Sequence, residues 1–239
     1  MASFSSFADR LPDPNFGIGE DGSSSNSTIT GPGFSQIKFS SERPVSISRT
    51  NSGRVISRAI VGQRWKMSIS YNPMTRAQFE PIYSFLQARG RLTPFFVVLP
   101  QYRDTRYSSF NDTIAVLGTT NAGSKTVKID GFSNDSQHNS IRVGDMLTFT
   151  DSSNSNHKKA YQIVRVLTNS NYLSGGEQPG SGERIVYLNP PLEKTVSDNT
   201  TVNYQNVLIR VIMTTDVIEY DLGTNNLYQF SLNLEEAQP

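Results

Sequence analysis

The sequence predicts a mainly β protein: a β-sandwich or barrel scaffold with one packed α-helix and an inserted small β-barrel domain. Three observations lead there. Apolar and polar residues alternate at period two through 45–71 and again through 228–234, the pattern of strands with one buried face. One segment alone, 75–89, repeats its apolar residues at helical spacing. Residues 111–205 hold six short β-type runs separated by polar turns and by no helix, as in small closed or sandwiched β-domains.

Residues 1–33 open the chain with Ser, Asn, Gly and Pro and little apolar content. Such a stretch buries too little surface to offset chain entropy. It reads as a flexible arm, or as an arm that orders only against a neighbouring subunit through Phe4, Phe7, Leu11 and Phe16. Strands begin at Phe34. Val45 and Ile47 alternate with Ser46 and Ser48, Asn51-Ser52-Gly53 makes a turn, and Val55–Val61 resumes. Trp65, Met67, Ile69 and Tyr71 then face one way, with Lys66, Ser68 and Ser70 facing the other.

Asn72-Pro73 ends that strand. Thr75 and Gln78 have capping-box spacing, and Phe79, Ile82, Tyr83 and Leu86 form one stripe that Gly90 stops. Pro81 lies inside this helix and predicts a separate first turn or a bend. Phe95–Leu99 is an unbroken apolar run, as in a strand covered on both faces. The six runs of the next unit are Thr113–Leu117, Lys125–Ile129, Met146–Phe149, Tyr161–Leu167, Ile185–Leu188 and Thr201–Tyr204. Val207–Met213, Val217–Tyr220 and the alternation Tyr228–Leu234 return to the first style. The predicted organisation is therefore an arm (1–33), a β-domain with the helix (34–110 and 206–239), and an insert (111–205).

Charge and composition narrow the function. There is no cysteine, so disulfides, thiolate metal sites and thiol nucleophiles are absent. His138 and His157 stand in polar loops, with no nucleophile elbow and no phosphate-cradling glycine loop. Asp151-Ser153-Ser155-His157 spaces oxygens like a calcium loop but lacks its Gly and closing Glu. The sequence thus predicts no enzyme, no cofactor and no metal. The longest apolar run is too short to span a bilayer, so no membrane insertion is expected.

Residues 1–110 carry 13 Lys and Arg against 7 Asp and Glu, whereas 111–239 carry 9 against 14. No acid occurs between Glu42 and Glu80. This asymmetry fits a basic face that meets an acidic neighbour, a nucleic-acid surface, or simply a solvated strand face. The first of these assigns Arg49, Arg54, Arg58 and Arg64 to contacts with acidic partners such as Glu219, Asp221, Glu235 or Glu236, on the next copy or on an adjoining ring. The segment 44–71 and the strand 228–234 would be the contact elements.

Residues 54–100, RVISRAIVGQRWKMSISYNPMTRAQFEPIYSFLQARGRLTPFFVVLP, resemble the core of phage minor tail proteins of the distal tail protein group. The likeness lies in a basic strand pair, a Trp-led strand, a helix ending in Gly, and an aromatic-rich strand ending in Pro. Residues 143–149, Tyr161–Val164, 185–196 and 228–236 resemble later parts of such proteins, so the likeness covers 34–236 piecemeal. It implies a tail-tube-like fold and a homohexameric ring at the distal end of a phage tail, assembled in the host cytoplasm. Such a ring joins the tail tube to the baseplate, hub or tip, and DNA passes through it without sequence-specific binding. A tube-initiating or tube-capping baseplate protein would share the fold. A different class, a carbohydrate-binding adhesion module, would rest on the insert and on Tyr161, Tyr172 and Tyr187.

Overall fold

The computed structural model describes residues 8–19, 22–23, 29–59, 62–134, 140–171 and 176–237. Phe4, Phe7, Val61, His138 and Tyr172 lie outside them. The chain forms two compact units. One runs up to Phe96 and resumes over Val211–Ala237; the other is Val97–Arg210.

The first unit begins with β1 (Gly17–Ile18), β2 (Ile29–Thr30), β3 (Phe34–Glu42), β4 (Val45–Arg49), β5 (Val55–Ala59), β6 (Arg64–Tyr71), α1 (Arg76–Arg89) and β7 (Phe95–Val97). The second unit contributes β8 (Ala115–Val116), β9 (Thr126–Asp130), β10 (Met146–Thr150), β11 (Tyr161–Leu167), β12 (Arg184–Asn189) and β13 (Thr201–Asn203). The chain ends with β14 (Ile209–Met213), β15 (Asp221–Leu222), β16 (Tyr228–Gln229) and β17 (Ser231–Glu236).

A five-stranded sheet of order β3-β6-β17-β14-β7 organises the first unit. The predicted alternation sets its faces: Trp65, Met67, Ile69 and Tyr71 are buried, as are Leu232 and Leu234 opposite them. The other face carries Gln36, Lys38, Ser40, Ser68, Ser70, Ser231 and Asn233 at paired positions. Helix α1 buries Phe79, Ile82, Phe85 and Leu86. The Gln78 side chain accepts from the Thr75 N–H at 3.2 Å, the reaching-back half of a capping box. Pro81 does not split the helix, which runs as one element from Arg76 to Arg89.

Two expectations need correction here. Residues 8–19 and 29–33 are not a free arm. Ala8, Leu11, Asp13 and Ile18 are buried, and the backbone of 9–11 bonds the edge of β7, with Phe96 N–H donating to the Asp9 carbonyl at 2.7 Å and Leu11 N–H to Phe96 at 2.8 Å. A Cβ on Gly31 would lie 2.5 Å from the Pro12 backbone, so only glycine allows the two passes to meet. The second correction concerns the boundary, which falls at 96/97 rather than 110/111. Residues after β7 belong to the barrel unit because Asn206 and Val207 N–H bond the carbonyls of Arg103 and Tyr102, while Phe110 enters the barrel core.

That second unit is a closed barrel of order β10-β11-β12-β9-β8-β13, antiparallel throughout. All six predicted runs supply its strands. Its core is continuous and its own, including Val116, Val127, Ile129, Leu147, Phe149, Ile163, Val186 and Val202. The protein is thus mainly β, with one α-helix among the described residues and a closed six-stranded barrel. No helix among the described residues is long and apolar enough to cross a membrane.

Candidate assembly interface

The chain between β3 and β6 does not stay in the sheet. Register pairs β3 with β6 as far as Glu42↔Arg64. Arg43-Pro44 then interrupts pairing, since proline cannot donate a ladder bond. Beyond it β4 and β5 pair only with each other, from Val45↔Ala59 to Arg49↔Val55. The turn is built in sequence. Thr50 N–H donates to the Arg54 carbonyl at 3.0 Å, Arg54 N–H donates to Thr50 Oγ1 at 3.2 Å, and Gly53 takes the left-handed φ of 79°.

Residues 45–58 of this ribbon are exposed. Opposed residues share a face, so Val45, Ile47 and Val55 lie together, while Ile56 joins Ser46, Ser48 and Arg58 on the other. Their exposures are 49% (Val45), 65% (Ile47), 55% (Val55) and 52% (Ile56). A two-stranded hairpin standing alone in water is marginal. Exposed apolar residues on an unpaired ribbon are the mark of a surface that another chain covers.

Arg43, Arg49, Arg54 and Arg58 all lie on or beside this ribbon, and their guanidiniums have no partner among the described residues. Arg64 is different. Its Nη1 donates to Glu235 Oε1 at 3.0 Å across β6 and β17, so the pairing expected between copies is made within one. Lys66, 2.8 Å from Glu42 and 3.9 Å from Glu235, completes that patch. The Glu42 carboxylate holds the Lys66 ammonium above its ordinary pKa. Glu236 is committed too: its side chain is buried and accepts from the Trp65 N–H at 3.1 Å. Of the expected acidic partners, Glu219 and Asp221 remain exposed and unpaired among the described residues. Because Arg64 is itself half-exposed in this pair, Arg64→Ala is expected to cost under about 1 kcal/mol of stability. It should leave self-association unchanged, which chemical denaturation and sedimentation will read.

The sheet register also removes the strand 228–234 from the expected contacts. β17 lies between β6 and β14 with both edges hydrogen-bonded, and β6 lies between β3 and β17. A filled edge cannot add a strand. In the five-stranded sheet the border left open beside β6 is the outer edge of β3, with the β4–β5 ribbon following it in the chain.

Residues considered for chemistry have local jobs. Asp151 accepts from Ser153 N–H at 2.8 Å and Ser197 N–H at 3.0 Å, closing a turn rather than facing a cation. His157 is buried in the barrel unit, with Nε2 2.7 Å from the Tyr161 hydroxyl, which also accepts from Glu193 N–H at 2.9 Å. Tyr161 is therefore core and offers no face to a sugar. Among the described residues no three His, Asp or Glu side chains converge as a metal site would require. Comparison with the models of known protein families, and with curated proteins, returns no match to this chain.

Proposed function

We propose that this protein is a structural subunit that assembles with copies of itself into a closed ring, and that the ring is the distal-tail type found in phage tails. The carrying observation is the β4–β5 ribbon: two strands that pair only with each other, four exposed apolar side chains, and on or beside them four arginines without a partner among the described residues. Ordering such a ribbon without burying it costs backbone entropy and returns little, so its apolar side chains gain their stabilisation only against another chain.

The sheet and helix of the first unit, with the long hairpin and a separate small barrel, agree with the tail-tube-like scaffold that the segment 54–100 resembles. In this reading six copies close the ring between tail tube and baseplate or tip. The serine-rich outer face of the sheet, with few charges left unpaired, suits a wall past which duplex DNA slides without being held. No cofactor or metal takes part.

Negative-stain electron microscopy of the purified chain over rising concentration tests this. Rings with a central hole wide enough for duplex DNA are expected. Monomers at every concentration, or a closed two-fold dimer, would overturn it.

A further inference from the structure

The segment preceding and entering β15, residues 216–222 (Asp-Val-Ile-Glu-Tyr-Asp-Leu), has the complementary character of the ribbon. Val217 is 63% exposed, Tyr220 45% and Leu222 53%. The Glu219 and Asp221 carboxylates have no partner among the described residues, whereas Asp216 is held by Arg91 at 3.1 Å. No Lys or Arg occurs from Val211 to Ala237. The backbone of 217–220 makes a single hydrogen bond among the described residues, from Thr215 Oγ1 to the Val217 carbonyl at 3.3 Å, so its remaining polar groups are open. β15 itself is paired on one side only, with β16.

The Tyr220 ring is fixed from behind. It meets Phe79 at 4.9 Å, Tyr83 at 5.6 Å and Tyr228 at 5.6 Å between centroids. A rigid aromatic face flanked by two free carboxylates is what an arginine side chain recognises, by stacking and by charge-assisted hydrogen bonds.

We infer that residues 216–222 are the seat for the β4–β5 ribbon of a second copy of this chain, which adds to the open backbone as a strand and sets its arginines against Glu219, Tyr220 and Asp221. This rests on the self-assembly reading and names the receiving surface. The charges also decide which surfaces meet. Residues 43–63 hold four arginines and no acid, while 211–237 hold acids and no base, so ribbon against ribbon and seat against seat both repel. The contact joins two different surfaces, which a head-to-tail ring requires and which a reciprocal two-fold dimer would also satisfy, so ring against dimer is read from the size of the cross-linked products.

The chain has no cysteine, so introduced thiols are the only ones. Under mild oxidation the full-length Ile47→Cys/Leu222→Cys variant is expected to give a ladder of covalent multimers, while each single variant gives at most traces of dimer. Reversing the seat (Glu219→Lys/Asp221→Lys) or the ribbon (Arg54→Glu/Arg58→Glu) should weaken association on the order of tenfold or more. Mixing the two reversals in one chain should recover most of it. Rings that survive seat reversal but not ribbon reversal would overturn this seat and leave self-assembly standing. A chain that neither cross-links nor associates at any concentration would remove both.

Discussion

Replacing residues 45–59 with a short glycine-containing turn is expected to abolish self-association while leaving the fold intact. Residues 45–58 of the ribbon supply no buried side chain to the sheet, whose core is carried by Trp65, Met67, Ile69, Tyr71, Leu232 and Leu234. β3 and β6 hold their own register over eight paired positions and need nothing beyond Glu42↔Arg64 to keep it. Backbone order costs roughly 1–2 kcal/mol per residue, and the ribbon has little burial to offset that. The trimmed chain should melt within about 5 °C of the parent. Mass photometry should find it monomeric where the parent forms rings. A trimmed chain that still forms rings would show that the contacts lie elsewhere.

The second large effect concerns pH and the barrel. Burial lowers the pKa of His157 to about 4, helped by the nearby Lys194 and Lys158 and opposed by Asp151. The folded state therefore holds the imidazole neutral where an unfolded chain, at about 6.5, would protonate it. A depressed histidine gives stability that is complete above pH 6.5 and is lost as pH falls toward 4, because over that window the unfolded chain binds the extra proton. The gap is worth about 3 kcal/mol, a fall in melting temperature on the order of 10 °C for a unit of this size. Asp145 acts against it, its carboxyl being raised by burial, which slightly favours folding as pH drops. Thermal melts between pH 7.5 and 4.5 should show the loss, and His157→Gln should flatten it. A flat profile in the parent would mean that water reaches the imidazole.

Much of this architecture was legible because period and punctuation coincide. The six barrel strands are short β-branched runs closed by Gly, Asn and Asp turns, and helix α1 announces itself by the Phe79–Leu86 stripe. The ribbon was legible as strands but not as exposed ones, since Val45, Ile47 and Val55 read like any buried alternation. What hides them from the sequence is the absence of a third strand, which is a fact of tertiary pairing. The N-terminal correction has the same origin: Leu11 and Ala8 are isolated apolar residues in a polar stretch, and their partner strand lies some 85 residues on. Charge alone could not sort the acids. Glu235 and Glu236 look as available as Glu219 and Asp221 until β17 is placed beside β6, which takes two of the four out of play. His157 is set among Asn, Ser and Lys and carries no signal of burial; the Tyr161 hydroxyl that draws it inward is four residues on.

Hydrogen exchange read by mass spectrometry on the same protein, dilute and concentrated, reports whether the ribbon and the 216–222 seat are covered together on assembly. Amides of 45–59 are expected to exchange rapidly in the monomer and to become protected on assembly, together with those of 217–222 and of no other exposed stretch in the first unit. Equal exchange of the ribbon in both states, alongside demonstrable rings, would contradict that.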